Sequence, residues 1–98
     1  MSLEKLIKAH KFLLRERYYY MIERSEFDDK LRLLNFCNAA QTITNPDKLS
    51  RWVGYVQGVL IERGILDVNF ERDLTREIYK PIYESLGWDT TSIDVTKD

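Results

Sequence analysis

The segment from Asn45 to Gly64 constrains this chain more than any other, because it reads as one helix with a marked start and a marked stop. Asn45 is a good N-cap residue, and Pro46 fits the first turn, where a missing N–H costs nothing. Gly64 follows the last periodic residue, where a left-handed C-cap suits glycine. Between them Leu49, Trp52, Val53, Val56, Val59 and Leu60 recur at helical spacing and form a broad apolar face, widened by Tyr55. A helix of this kind must bury that face against other elements, and the rest of the chain offers helices to do it.

The first segment predicts a helix over 2–24, with Ser2 as N-cap. Leu3, Leu6, Ile7, Leu13, Leu14, Tyr18 and Met21 follow a three–four spacing, with His10 on the same stripe and Phe12, Tyr19, Tyr20 and Ile22 partly off it. That face is wider than one neighbour needs, so a homo-oligomer is expected, a dimer built on the first and third helices. A second helix is expected over 28–43, with Phe27, Leu31 and Leu34 on one stripe and Leu33, Phe36, Ala40 and Ile43 on another. A fourth runs over 68–79, capped by Asp67 or Asn69. Phe70, Leu74 and Ile78 lie on one line of it, and Glu71, Arg72, Asp73, Arg76 and Glu77 form a solvated polar side. Pro81 should kink or end it, with a short turn over 82–86 stopped by Gly87. The expected fold is therefore all-α: a small bundle of about four helices, the last interrupted by proline. Residues 1–87 form the single domain, and 88–98 form an extended C-terminal tail.

The chain has 98 residues and a formal net charge of −1, so nothing in its overall balance attracts nucleic acid or membrane. Residues 1–24 carry a net +3 and residues 89–98 a net −2. A solvated helix face is the cheaper account of the basic end; a surface for an acidic partner is the other. Tyr18-Tyr19-Tyr20 near Arg15 and Arg17 suggests base stacking, but consecutive helical residues point about 100° apart and cannot share one platform. Buried rings with solvent-facing hydroxyls account for the tyrosines more simply, and nucleic acid is not an expected partner. No apolar run approaches the roughly 18 residues of a membrane span, and the first residues are too charged for a secretory signal.

One histidine and one cysteine leave little for metal or nucleophilic chemistry. Cys37 permits no internal disulfide, which fits a reducing cytoplasm. His10 and Cys37 both fall in core-like stripes, no phosphate-binding glycine loop is present, and Asp28 and Asp29 suit a helix start. No cofactor, metal or enzymatic activity is expected.

The residues that exceed the needs of a plain bundle lie elsewhere. Gly54 and Gly58 interrupt the third helix at about 1 kcal/mol each relative to alanine. They share a face that Arg51 and Glu62 extend by a turn each way. Such a face admits close packing of another helix, within the fold or in a dimer, or leaves room for a ligand. The candidate partner-binding residues are Arg51, Trp52, Gly54, Gln57 and Gly58 with Arg72, Asp73 and Arg76. The leading expectation is a protein partner. A groove in which Arg51, Arg72 and Arg76 hold an anionic ligand or nucleotide is the alternative, and nucleic-acid binding through the basic first helix a third.

The run Arg51-Trp52-x-Gly54-x-x-Gln57-Gly58-x-Leu60, followed by Glu71-Arg72-Asp73-x-Thr75-Arg76, resembles small early proteins of T4-like tailed bacteriophages. The tyrosine-rich stretch Arg15 to Tyr20 adds to the likeness, which covers about the middle half of the chain. Within that group the chain resembles the lysis-inhibition accessory proteins of the rapid-lysis III type. The resemblance implies a small cytoplasmic protein of the infected host cell that delays holin-triggered lysis by contacting the holin's cytoplasmic segment. It supplies no catalytic residues.

Overall fold

A computed structural model describes residues 2–88, and these fold as four helices with no strand. Helix α1 covers 2–23, α2 Lys30–Ala39 with an appended 3-10 turn at Ala40–Thr42, α3 Pro46–Glu62, and α4 Val68–Ser85. The expected extended tail lies outside the described residues.

The ends of the helices are set by local chemistry. Asn45 Oδ1 accepts from the Lys48 amide at 3.0 Å, with Pro46 in the first turn. Asp67 Oδ2 accepts from the Phe70 amide at 3.2 Å. Gly64 and Gly87 stand at φ 75° and 74°. Beyond each, the chain closes the helix with a six-to-one bond, Ile65 N–H to Leu60 O at 2.9 Å and Trp88 N–H to Tyr83 O at 2.9 Å. This is the glycine-terminated motif that satisfies carbonyls left over at a helix end.

Helix α1 is the hub and packs on all three other helices. Its middle, Leu13–Tyr18, is wound as π-helix between the α segments Ser2–Phe12 and Tyr19–Glu23. A wider turn lets residues four apart stay in line instead of drifting around the axis. Leu14, Tyr18 and Ile22 accordingly stay in one buried column. They meet Leu33, Cys37 and Ala40 from α2 and its turn, and Leu49, Val53, Val56 and Leu60 from α3. The column includes Ile22, which the spacing had placed off the stripe. Leu6, Leu13, Leu14, Tyr18 and Ile22 of α1 are all buried within one chain, while Phe12 and Tyr20 of its wide apolar face stay exposed.

Three further expectations are corrected. Pro81 neither ends nor interrupts α4, which runs unbroken to Ser85. The ring sits on an exposed side, where the carbonyl that loses its amide partner faces water rather than a dry interior. Trp88 belongs to the body of the domain and not to the tail, because its ring stands edge-on to Tyr83 at 5.3 Å. Leu31, placed on the apolar stripe of α2, is 70% exposed.

Gly54 and Gly58 lie on the exposed side of α3, and a Cβ built on either has nothing within 4 Å. The fold does not require them. Gly54→Ala and Gly58→Ala are therefore expected to stabilise the protein by about 1 kcal/mol each. Gly64→Ala, at positive φ, should destabilise it by about 1 kcal/mol or more. Urea unfolding of the three variants checks the contrast.

Candidate functional site

The polar residues expected to form one binding surface are divided between the interior and two outer faces. Arg51, Gly54 and Gly58 share the outward line of α3 with Tyr55, which is 41% exposed, and Glu62. Trp52 turns sideways and stacks on Phe36 of α2 at 4.0 Å between ring centroids, and Tyr55 meets the same Phe36 ring, tilted, at 5.1 Å. Arg32 meets Tyr55 from α2, and that contact, followed by Asp29, raises its pKa. The open glycine face of α3 is thus bordered on one side by an aromatic row.

Gln57 is not a surface residue awaiting a partner. It is half-buried, and its Nε2 donates to the Tyr18 hydroxyl at 2.8 Å. That hydroxyl in turn donates to Glu71 Oε2. Arg17 grips the same carboxylate through Nη2 at 2.6 Å and Nε at 3.1 and 3.2 Å. Glu71 is only 2% exposed and is the one fully buried side chain among the described residues of α4. The polar side assigned to Glu71 is corrected accordingly, as are the solvent-facing hydroxyl of Tyr18 and the solvated position of Arg17. Burial and the bond to Glu71 push the Tyr18 phenol far above its usual range, so it stays a donor. The bond to Glu71 also raises the Arg17 pKa.

Of the remaining candidates, Arg72 is half-buried and lines a cavity of about 220 Å³ with Gln57, Ile61 and Val68. Asp73 is exposed and pairs with Arg76 at 3.8 Å. Arg76 borders a different cavity with Lys80 and Pro81. The structure does not draw Arg51, Arg72 and Arg76 into one pocket.

His10 and Cys37 occupy separate interior settings. His10 Nδ1 and the Tyr79 hydroxyl share a 2.7 Å hydrogen bond, beginning an aromatic row through Tyr79 and Tyr83 to Trp88. Burial lowers the His10 pKa to about 4 and raises that of the Cys37 thiol to about 11. The imidazole is thus neutral and the thiol protonated near neutral pH. Among the described residues no group of three or more His, Cys, Asp or Glu is placed to hold a metal, and no helix is long and apolar enough to cross a membrane.

Comparison with protein-family models, with curated proteins and with solved structures finds no match.

Sequence reasoning missed Arg17, Tyr18, Glu71 and Tyr79 as a set. A signal for Glu71 exists: it precedes Leu74 by three residues and Ile78 by seven, on the inward side of α4. Two variants probe these interior groups. Glu71→Gln, which leaves Arg17 without its counter-charge, should cost about 2–4 kcal/mol in chemical denaturation, the lower end reflecting the partial exposure of Arg17. His10 is neutral in the fold down to about pH 4, whereas in the unfolded chain it takes up a proton near its ordinary value of 6.5. Its contribution is therefore fully present above pH 6.5 and is lost as pH falls towards 4, by up to about 3 kcal/mol. The stability difference between wild type and His10→Gln should shrink over that window.

Proposed function

We propose that this chain is a non-enzymatic bacteriophage regulatory protein that works as a homo-oligomer by binding another protein. Lysis timing is its most specific form, with the holin's cytoplasmic segment as partner. The observation that carries the binding reading is the outward face of α3. Two interior glycines stand there in open space at a cost in helix stability that no contact within the chain repays. A helix or extended segment of a partner can approach the α3 backbone closely between Arg51 and Glu62, with the exposed Tyr55 as an aromatic anchor. Trp52 and Gln57 support this face from beneath, through Phe36 and Tyr18. The phage assignment and the holin partner rest on the resemblance carried by Arg51-Trp52-x-Gly54-x-x-Gln57-Gly58-x-Leu60. The expected setting is the cytoplasm of the infected cell.

Gly58→Leu tests the binding face directly. Because a Cβ at position 58 meets nothing within 4 Å and the position faces outward, helicity and stability should hold. A labelled peptide spanning a holin cytoplasmic segment should bind wild type and bind the variant about tenfold more weakly or worse, equivalent to about 1.4 kcal/mol. Absence of binding to wild type rejects the holin partner, and equal binding to both proteins rejects the α3 face.

A further inference from the structure

The outer line of α1 is a second unpartnered surface, distinct from the glycine face of α3. Lys5, Lys8, Phe12, Glu16 and Tyr20 are all exposed, Phe12 at 53% and Tyr20 at 51%. The π-wound turn at Leu13–Tyr18 keeps Phe12, Glu16 and Tyr20 in one line, where a regular α-helix would rotate them progressively apart. Tyr20 is fixed by Arg24, whose guanidinium lies over its ring at 4.0 Å. Beside this line a groove of about 370 Å³ separates α1 from α4, with Met21, Leu74 and Ile78 in its lining. Phe70, 55% exposed, extends the apolar surface along α4. Three large apolar side chains more than half exposed along one side of a small domain mark a contact surface.

We infer that this surface is the seam of an antiparallel two-fold dimer in which α1 packs on α1 of a second copy, with Phe12 at the axis. The charge pattern selects that occupant. Lys8 and Glu16 stand four residues either side of Phe12, so a two-fold axis at Phe12 places each Lys8 opposite the partner copy's Glu16, twice over. Lys5 falls near the partner copy's Tyr20, on the same line. The surface is thus complementary to itself at Lys8 and Glu16 and apolar at its centre. The groove beside the line suits the chain's own C-terminal segment poorly by charge. Residues 89–98 carry a net −2, whereas the carboxylates bordering the groove are those of Glu16, Asp73 and Glu77. The one guanidinium in the groove lining, Arg17, is already neutralised by Glu71. The dimer rests on the self-association included in the proposed function and leaves the α3 face free for a different partner.

Sedimentation equilibrium on the full chain tests the seam. Wild type should be a dimer, and Phe12→Asp a monomer with unchanged circular dichroism, since Phe12 is half in solvent and outside the core. Lys8→Glu and Glu16→Lys should each weaken the dimer about tenfold, from two lost pairs and two like-charge contacts per dimer. The double variant Lys8→Glu/Glu16→Lys should recover to within about twofold of wild type, because the swapped charges again oppose one another. A monomeric wild type overturns both the seam and self-association, while peptide binding at α3 is read separately through Gly58→Leu. A dimer that survives Phe12→Asp, or a double variant no tighter than the single ones, overturns the seam alone.

Discussion

The carboxylate of Glu71 is the contact on which the arrangement of the fourth helix depends. Among the described residues α4 sends no fully buried hydrocarbon side chain into the core; its one fully buried group is an acid. Helices α1, α2 and α3 share the close-packed aliphatic interior. Helix α4 is joined to them by Arg17 and Tyr18 on Glu71, by the hydrogen bond between His10 and Tyr79, and by half-buried Ile78. Hydrophobic burial is non-directional and tolerates sliding. A carboxylate that must accept from a guanidinium and a phenol at once fixes both the rotation and the axial position of its helix.

Taking a carboxylate out of water is expensive, and a buried pair commonly gains little net stability over hydrocarbon of similar shape. What makes Glu71 tolerable is that every neighbour is satisfied. Gln57 of α3 donates to the Tyr18 hydroxyl, which donates onward to Glu71, so three helices meet in one chain of donors and acceptors. Among the described residues no buried side-chain polar atom is left without a partner. Such a network serves specificity of arrangement, with the cost offset by the aliphatic core of the other three helices. The π-wound turn belongs to the same design. It ends at Tyr18, includes Arg17, and holds Leu14, Tyr18 and Ile22 in one inward column.

Legibility in the sequence followed the range of the interaction. The N-cap at Asn45 and the left-handed Gly64 are contacts within a few residues of one another, so spacing alone located them; it narrowed the cap of the fourth helix to Asp67 or Asn69 and placed a stop at Gly87, though after a separate turn rather than the same helix. The all-α class and the inward face of α3 followed from periodicity for the same reason. Pro81 was misread because the local rule describes a buried or isolated helix interior, and here the affected carbonyl lies on a solvated side. Glu71 was misread because its partners are 53 and 54 residues away. A carboxylate looks alike in sequence whether it faces water or an arginine from another helix. Of the candidate site, Arg51, Gly54 and Gly58 were legible as a face because their spacing is local. Trp52 and Gln57 were legible as unusual, but their use, supporting that face from within, requires the tertiary contacts to Phe36 and Tyr18.

Inner and outer roles are divided between neighbouring residues of the same helix. Gln57 sits one residue before Gly58 and reaches inward to the network that positions α4, while Gly58 faces open space. On α1, Arg17 and Tyr18 reach inward to Glu71, and Glu16 and Tyr20 on either side of them face outward. On each helix the residue fixing the interior is covalently adjacent to one presenting the exterior. A change in the rotation of either helix would therefore disturb both the network and the surface. A rigid polar interior and two well-defined outer lines are thus consequences of the same helix registers, and those registers are set where Glu71 meets Arg17 and Tyr18.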